Sequence, residues 1–189
     1  MELLDAKQMK EKFLHTYHVR YGVQFVLDRY SEPLVDLLCL YFTNDPKFEE
    51  SGHSLKKGLL LFGGVGSGKT SILTSFCHNQ RQSYFMVDCL NVAAAFAKTG
   101  YDALFPYQYG EKNRFPRDKW NQVISTYCFD DLGVETEKKH FGNEVNIMAE
   151  LIQLLYDRDS LRGNIHFTTN LGADQIREIY GQRVASRLR

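Results

Sequence analysis

Neither sign of charge is in excess in this chain of 189 residues: 23 Lys and Arg stand against 23 Asp and Glu, for a formal net charge of zero. That balance removes any global pull toward nucleic acid or an anionic membrane, so contact with either needs a local patch. Cysteine is sparse. Cys39, Cys77, Cys89 and Cys128 are scattered with no CxxC pair, which argues against a disulfide framework or a structural zinc site and for buried reduced thiols. No apolar run is long enough to span a bilayer, and the expectation is a protein without membrane partners. The opening MELLDAKQMKEKF carries charges throughout and lacks an apolar centre. It does not read as a signal peptide, so the cytoplasm is the expected location. Internal repeats and low-complexity tracts are missing too. With 43% hydrophobic and 24% charged residues, the mix is that of an ordinary globular protein, long enough for one domain with a core and a small extension.

Glu2 to Phe42 shows helical spacing, with Leu34, Leu37, Leu38 and Tyr41 on one face. Ser31-Glu32-Pro33 is a helix start. Thr43 to Lys57 is polar, with turn signals at Asn44-Asp45-Pro46 and Ser51-Gly52. Residues 1–56 therefore read as a helical N-terminal segment and linker, and 57–189 as the main domain. There the pattern changes. Short apolar runs at Gly58–Phe62, Tyr84–Asp88, Val123–Phe129 and Ile165–Thr169 have the look of buried parallel strands. Helical stretches at Ser71–His78, Asn91–Lys98, Asn143–Arg158, Asp174–Tyr180 and Arg183–Leu188 alternate with them, and Gly100–Lys119 reads as irregular. This alternation predicts an α/β fold with a central parallel sheet and helices on both faces. Ligands of such sheets bind beyond the carboxyl ends of the strands. A glycine loop, Asp130-Asp131 and Asn170 each follow an apolar strand, so all three are expected at one edge.

The loop Gly63-Gly64-Val65-Gly66-Ser67-Gly68-Lys69-Thr70 fits GxxxxGK[ST] at every fixed position. Its glycines permit positive φ and turn successive N–H groups toward an anion. The helix that follows adds a partially positive N-terminus. Lys69 is expected to reach the β- and γ-phosphates and the Thr70 hydroxyl to ligate Mg²⁺, with Ser71 completing the phosphate-binding set. Tyr127-Cys128-Phe129-Asp130-Asp131 is an apolar strand closed by two carboxylates. In P-loop enzymes the first holds Mg²⁺, a role expected of Asp130, and the second orients the attacking water. Asp131 is one methylene shorter than the Glu common at that place, and Glu135 is a weaker candidate for the water role. Asn170 could contact the γ-phosphate or the water, or serve only as a helix cap or Asx turn.

Gly63–Thr70, Phe129-Asp130-Asp131-Leu132-Gly133, Thr168-Thr169-Asn170-Leu171 and Gly181-Gln182-Arg183-Val184-Ala185-Ser186-Arg187 together resemble the AAA+ ATPases of the DnaC/IstB type. These are helicase loaders and the ATPase helpers of insertion-sequence transposition. The resemblance covers roughly Leu55 to Arg189. It implies a three-layer P-loop domain that binds ATP with Mg²⁺, with Asn170 as the sensor residue. It also implies an arginine finger, Arg183 or alternatively Arg187, acting on ATP in a neighbouring copy, and hence a homo-oligomer. A replicative helicase or a transposase-type protein is the implied partner. ATP in place of GTP follows from the resemblance and from the lack of an NKxD motif. Family members continue past the arginine cluster into a further strand. A chain ending at Arg189 is expected to be truncated, a fragment or a short member, either a weak ATPase or a nucleotide-dependent switch.

Gly100 to Trp120 interleaves Tyr101, Phe105, Tyr107, Tyr109, Phe115 and Trp120 with Lys112, Arg114, Arg117 and Lys119. Such a segment could stack on and track single-stranded DNA, or be a surface insertion whose rings pack on the core. His15 and His18 sit one helical turn apart and, like His140 and His166, read as ordinary surface or core histidines and not as metal ligands.

Overall fold

The computed structural model describes residues 3–109, 126–135, 138–140, 143–157 and 164–188. It is an α/β protein built on a four-stranded parallel sheet, β1 (Leu60–Phe62), β2 (Tyr84–Asp88), β3 (Thr126–Leu132) and β6 (His166–Thr169), in the order β1-β6-β3-β2. Register pairs Leu61 with Thr168 across β1 and β6, and Met86 with Cys128 across β2 and β3. Both sheet faces are covered, which is why the strands read as apolar runs and not as alternating ones.

The side chains still alternate by face. Leu60, Phe85, Val87, Tyr127, Phe129 and Phe167 join one core, beneath α5 (Cys89–Thr99), α7 (Ile147–Tyr156) and α8 (Ala173–Arg187). Leu59, Leu61, Tyr84, Met86 and Cys128 join the other, beneath α1 (Ala6–Tyr21), α2 (Ser31–Thr43) and α4 (Lys69–Phe76). Period-two alternation inside continuously apolar strands is what a three-layer arrangement demands.

The second core shows what the N-terminal segment does. Phe76 of α4 stacks on Phe13 of α1, with centroids 4.7 Å apart, and on Phe42 of α2 at 4.8 Å. The change of pattern at residues 56–57 is therefore no break in packing. The polar stretch read as a linker contains a helical turn, α3 (Lys47–Glu50), whose buried Phe48 meets Tyr41 edge-on at 5.1 Å. Its single apolar anchor left no period to read. Local signals explain the helix ends. Asp5 and Gln8 form a reciprocal capping box on α1, and Gly22 closes that helix with φ 71°.

Three other expectations are corrected. The helix expected from Asn143 starts at Ile147; Asn143–Val145 is β5, antiparallel to β4 (Lys138–His140), and Asn146 is the N-cap, accepting from the Ala149 N–H at 3.0 Å. The start of the stretch read as irregular is ordered, with a 3₁₀ turn at Gly100–Leu104 and α6 at Phe105–Tyr109. The third strand runs on to Leu132, so the two acids lie within it and not after it. The two C-terminal helices meet at Gly181, whose φ of 80° and ψ of 164° break α8. Among the described residues no helix is long and apolar enough to cross a membrane.

Candidate functional site

The parallel order brings the carboxyl ends of β1, β6 and β3 side by side. The loop leaving β1 turns through Gly66 (φ 78°) and Gly68 (φ 83°), conformations that side chains of L-residues strain to adopt. It delivers Lys69 as the first residue of α4. The Lys69 ammonium is buried and donates to the carbonyls of Gly63 and Gly64, each at 2.9 Å, and to Asn170 Oδ1 at 2.7 Å. Ser67 Oγ lies at 3.4 Å as a fourth, longer contact, so three protons are shared among three oxygens of the loop and one at the end of β6. Gly63, Gly64, Val65, Gly66 and Ser67 wrap around this side chain, and Val65 is almost fully exposed at the tip.

Thr70, exposed on the first turn of α4, donates its hydroxyl to Asp130 Oδ1 at 3.0 Å. Ser71 turns back, donating to the Gly68 carbonyl at 2.9 Å. Thr168 of β6 donates to the same Asp130 oxygen at 2.5 Å and accepts from the Asp131 N–H at 2.8 Å. Asp131 itself has φ 55°, a left-handed value uncommon outside glycine. Burial pushes its carboxyl up from the ordinary value, and the charge of Asp130 pushes the same way, against the pull of Lys69. Asp88, in register with Asp130, brings a third acid to this edge while its carboxylate caps α5 through the Leu90 N–H at 2.8 Å.

The two short motifs after β3 and β6 interlock. At Gly133, φ is 107° and a Cβ would come within 2.6 Å of Leu171, so only glycine fits between them. Glu135 is buried, with its carboxylate on the Gly133 N–H at 2.8 Å and on the Tyr180 hydroxyl. Both contacts are within the chain, between the turn after β3 and α8. Asn170 holds Lys69, and the N-cap of α8 is Gly172, so the cap reading of Asn170 is not the one realised.

The arginines diverge. Arg187 is tied down within its own chain, to Asp157 at 3.0 Å, to the Gln153 carbonyl at 3.2 Å and over the Tyr156 ring at 4.6 Å. Arg183 is exposed and pairs with no carboxylate among the described residues. Lys112, Arg114, Phe115, Arg117, Lys119 and Trp120 lie outside the described residues. A cavity of about 710 Å³ is lined by Lys57–Leu60, Ile165 and Phe167 at the amino ends of β1 and β6. Arg187 and Tyr156 also line it, but none of Gly63–Thr70, Asp130, Asp131, Thr168 or Asn170 does.

Sequence reading missed Thr168 and Asp88. The signal for Asp88 was present, a polar residue closing an apolar strand just before a helix. Thr168 was quoted only as part of a motif, since its role depends on register. No protein-family model matches this chain, and no curated protein is found to be similar to it. The function is argued from the site itself.

Proposed function

We propose that the chain binds ATP with Mg²⁺ and hydrolyses it, as an AAA+ ATPase of the DnaC/IstB type acting on a replicative helicase or a transposase-type partner. The observation that carries this reading is the convergence at one sheet edge of Lys69, Asn170, Thr70 and Asp130, joined by contacts of 2.7 and 3.0 Å. Glycines with positive φ, a buried ammonium and a helix N-terminus together suit a polyphosphate. A hydroxyl and a carboxylate sharing one hydrogen bond suit a hard cation that takes oxygen ligands and keeps several from phosphate and water. Among the described residues no group of three or more His, Cys, Asp or Glu forms a cage of its own. Thr70 and Asp130 would hold the Mg²⁺, which neutralises charge on the phosphates when bound. With nucleotide bound, Lys69 would exchange loop carbonyls for phosphate oxygens, and Asn170, which contacts Lys69, would orient the terminal group. Asp131 is the acceptor for the proton of the attacking water. Arg183, exposed beyond the Gly181 break, is the side chain free to reach a neighbouring copy.

Calorimetry tests the assignment. The wild type should bind Mg-ATP with measurable heat, and Lys69→Ala should lose at least ten-fold in affinity, as expected when a buried charge partner of phosphate is removed. Affinity unchanged in Lys69→Ala would remove the loop from the reading. A single-turnover assay then separates an ATPase from a switch that binds nucleotide without cleaving it.

A further inference from the structure

Asp130 and Asp131 stand at a register shift in the central sheet. Phe129 is in register with Phe167, and Leu132 with Thr169. Two residues of β3 therefore face the single residue Thr168 of β6, which is a β-bulge. A bulge leaves the ladder short of a partner, and an unpaired buried amide is costly. Here the Asp131 N–H is satisfied by the Thr168 hydroxyl at 2.8 Å. The same hydroxyl spends its only proton on Asp130 Oδ1, at 2.5 Å. Thr169 closes the other side of the bulge, donating to the Leu132 carbonyl at 2.6 Å. Thr168 is fully buried and its side chain has no other work to do.

We infer that Thr168 is the positioning residue of the acidic pair, its one hydroxyl aiming the Asp130 carboxylate at Thr70 while it pins the left-handed backbone that presents Asp131. Donor and acceptor capacity are both used, so no apolar side chain can substitute and only another hydroxyl can. Thr168 is buried and its hydroxyl is engaged within the protein on both sides. It would act on a bound cation through Asp130, as outer-shell partners of metal ligands do. The inference rests on the Mg-nucleotide reading of the site.

The test is the Mg²⁺-dependent gain in ADP affinity, measured by calorimetry with Mg²⁺ and again with a chelator. Thr168→Val keeps shape and loses the hydroxyl; it should lower the gain by about 10- to 100-fold, the usual cost of removing an outer-shell partner. Its affinity for ADP under chelator should stay within about two-fold of wild type, because Lys69 and the loop are untouched. Thr168→Ser should restore the gain. Should the valine variant fail to fold, as judged by circular dichroism, Thr168→Cys takes its place, being close in shape with a weak donor, and the same loss is expected. A gain unchanged in Thr168→Val, or lost equally in Thr168→Ser, would overturn the inference. A wild type that binds no nucleotide with or without Mg²⁺ would instead sink the site reading beneath it, so the two failures are told apart.

Discussion

His166 offers a sharp test of how the sheet beneath the site is held. Its ring is fully buried among Tyr41, Phe42 and Tyr84, with centroids 5.7, 5.8 and 4.8 Å away. Nδ1 accepts the Leu59 N–H at 3.1 Å, so the imidazole is needed neutral. Burial, with a smaller push from Arg81, lowers its pKa from 6.5 to about 3. The unfolded chain therefore takes up this proton first. Stability is complete above the unfolded value and is lost as pH falls through the window from 6.5 toward about 3. At pH 5 the unfolded residue is about 1.5 units below its pKa, and at roughly 1.4 kcal/mol per unit the loss from this residue is about 2 kcal/mol. Urea unfolding followed by circular dichroism should show the midpoint falling by on the order of 1 M between pH 7.5 and pH 5. His166→Asn keeps an acceptor near Leu59 and cannot titrate. It should start less stable and lose about 2 kcal/mol less across the same interval. Equal losses in the two proteins would refute the claim that a neutral ring is built into the core.

The arginines should separate by assay. Arg187→Ala is expected to lower stability by about 1–2 kcal/mol through its lost contacts with Asp157, Gln153 and Tyr156. Arg183→Ala should leave stability within about 0.5 kcal/mol and nucleotide affinity unchanged, yet cut turnover by about 10³-fold or more if it acts as the finger. Turnover unaffected by Arg183→Ala would withdraw it from that role. Phe76→Ala, which removes the ring shared by α1, α2 and α4, should cost about 3–5 kcal/mol in urea unfolding; a cost under about 1 kcal/mol would mean that the N-terminal helices are not part of the core.

The conformation of the glycine loop was legible because its residues answer local demands: Gly66 and Gly68 take positive φ, and Lys69 and Thr70 open the helix that follows. The strands were legible because two buried faces make short apolar runs, and their ends were placed within a few residues. Whatever depended on two distant segments meeting stayed hidden. The bulge opposite Thr168 exists only in the register of β3 against β6. Glu135 was the weaker candidate for the water role, and its contact with Tyr180, 45 positions on, could not be read from the sequence. The antiparallel pair β4 and β5 has three-residue, mostly polar strands, too short for any period to show. The packing of α1 and α2 on α4 was hidden likewise. Their apolar faces announced burial, but no feature of the N-terminal segment said against what.

That last contact has a mechanical corollary. The helix that begins at Lys69 ends at its eighth residue in a ring wedged between Phe13 and Phe42. Close-packed interiors resist compression and pass displacement on. Any tilt imposed on the first turn of α4 must then be taken up by α1 and α2 together, and the surface those two helices turn outward is geared to the far end of that rod.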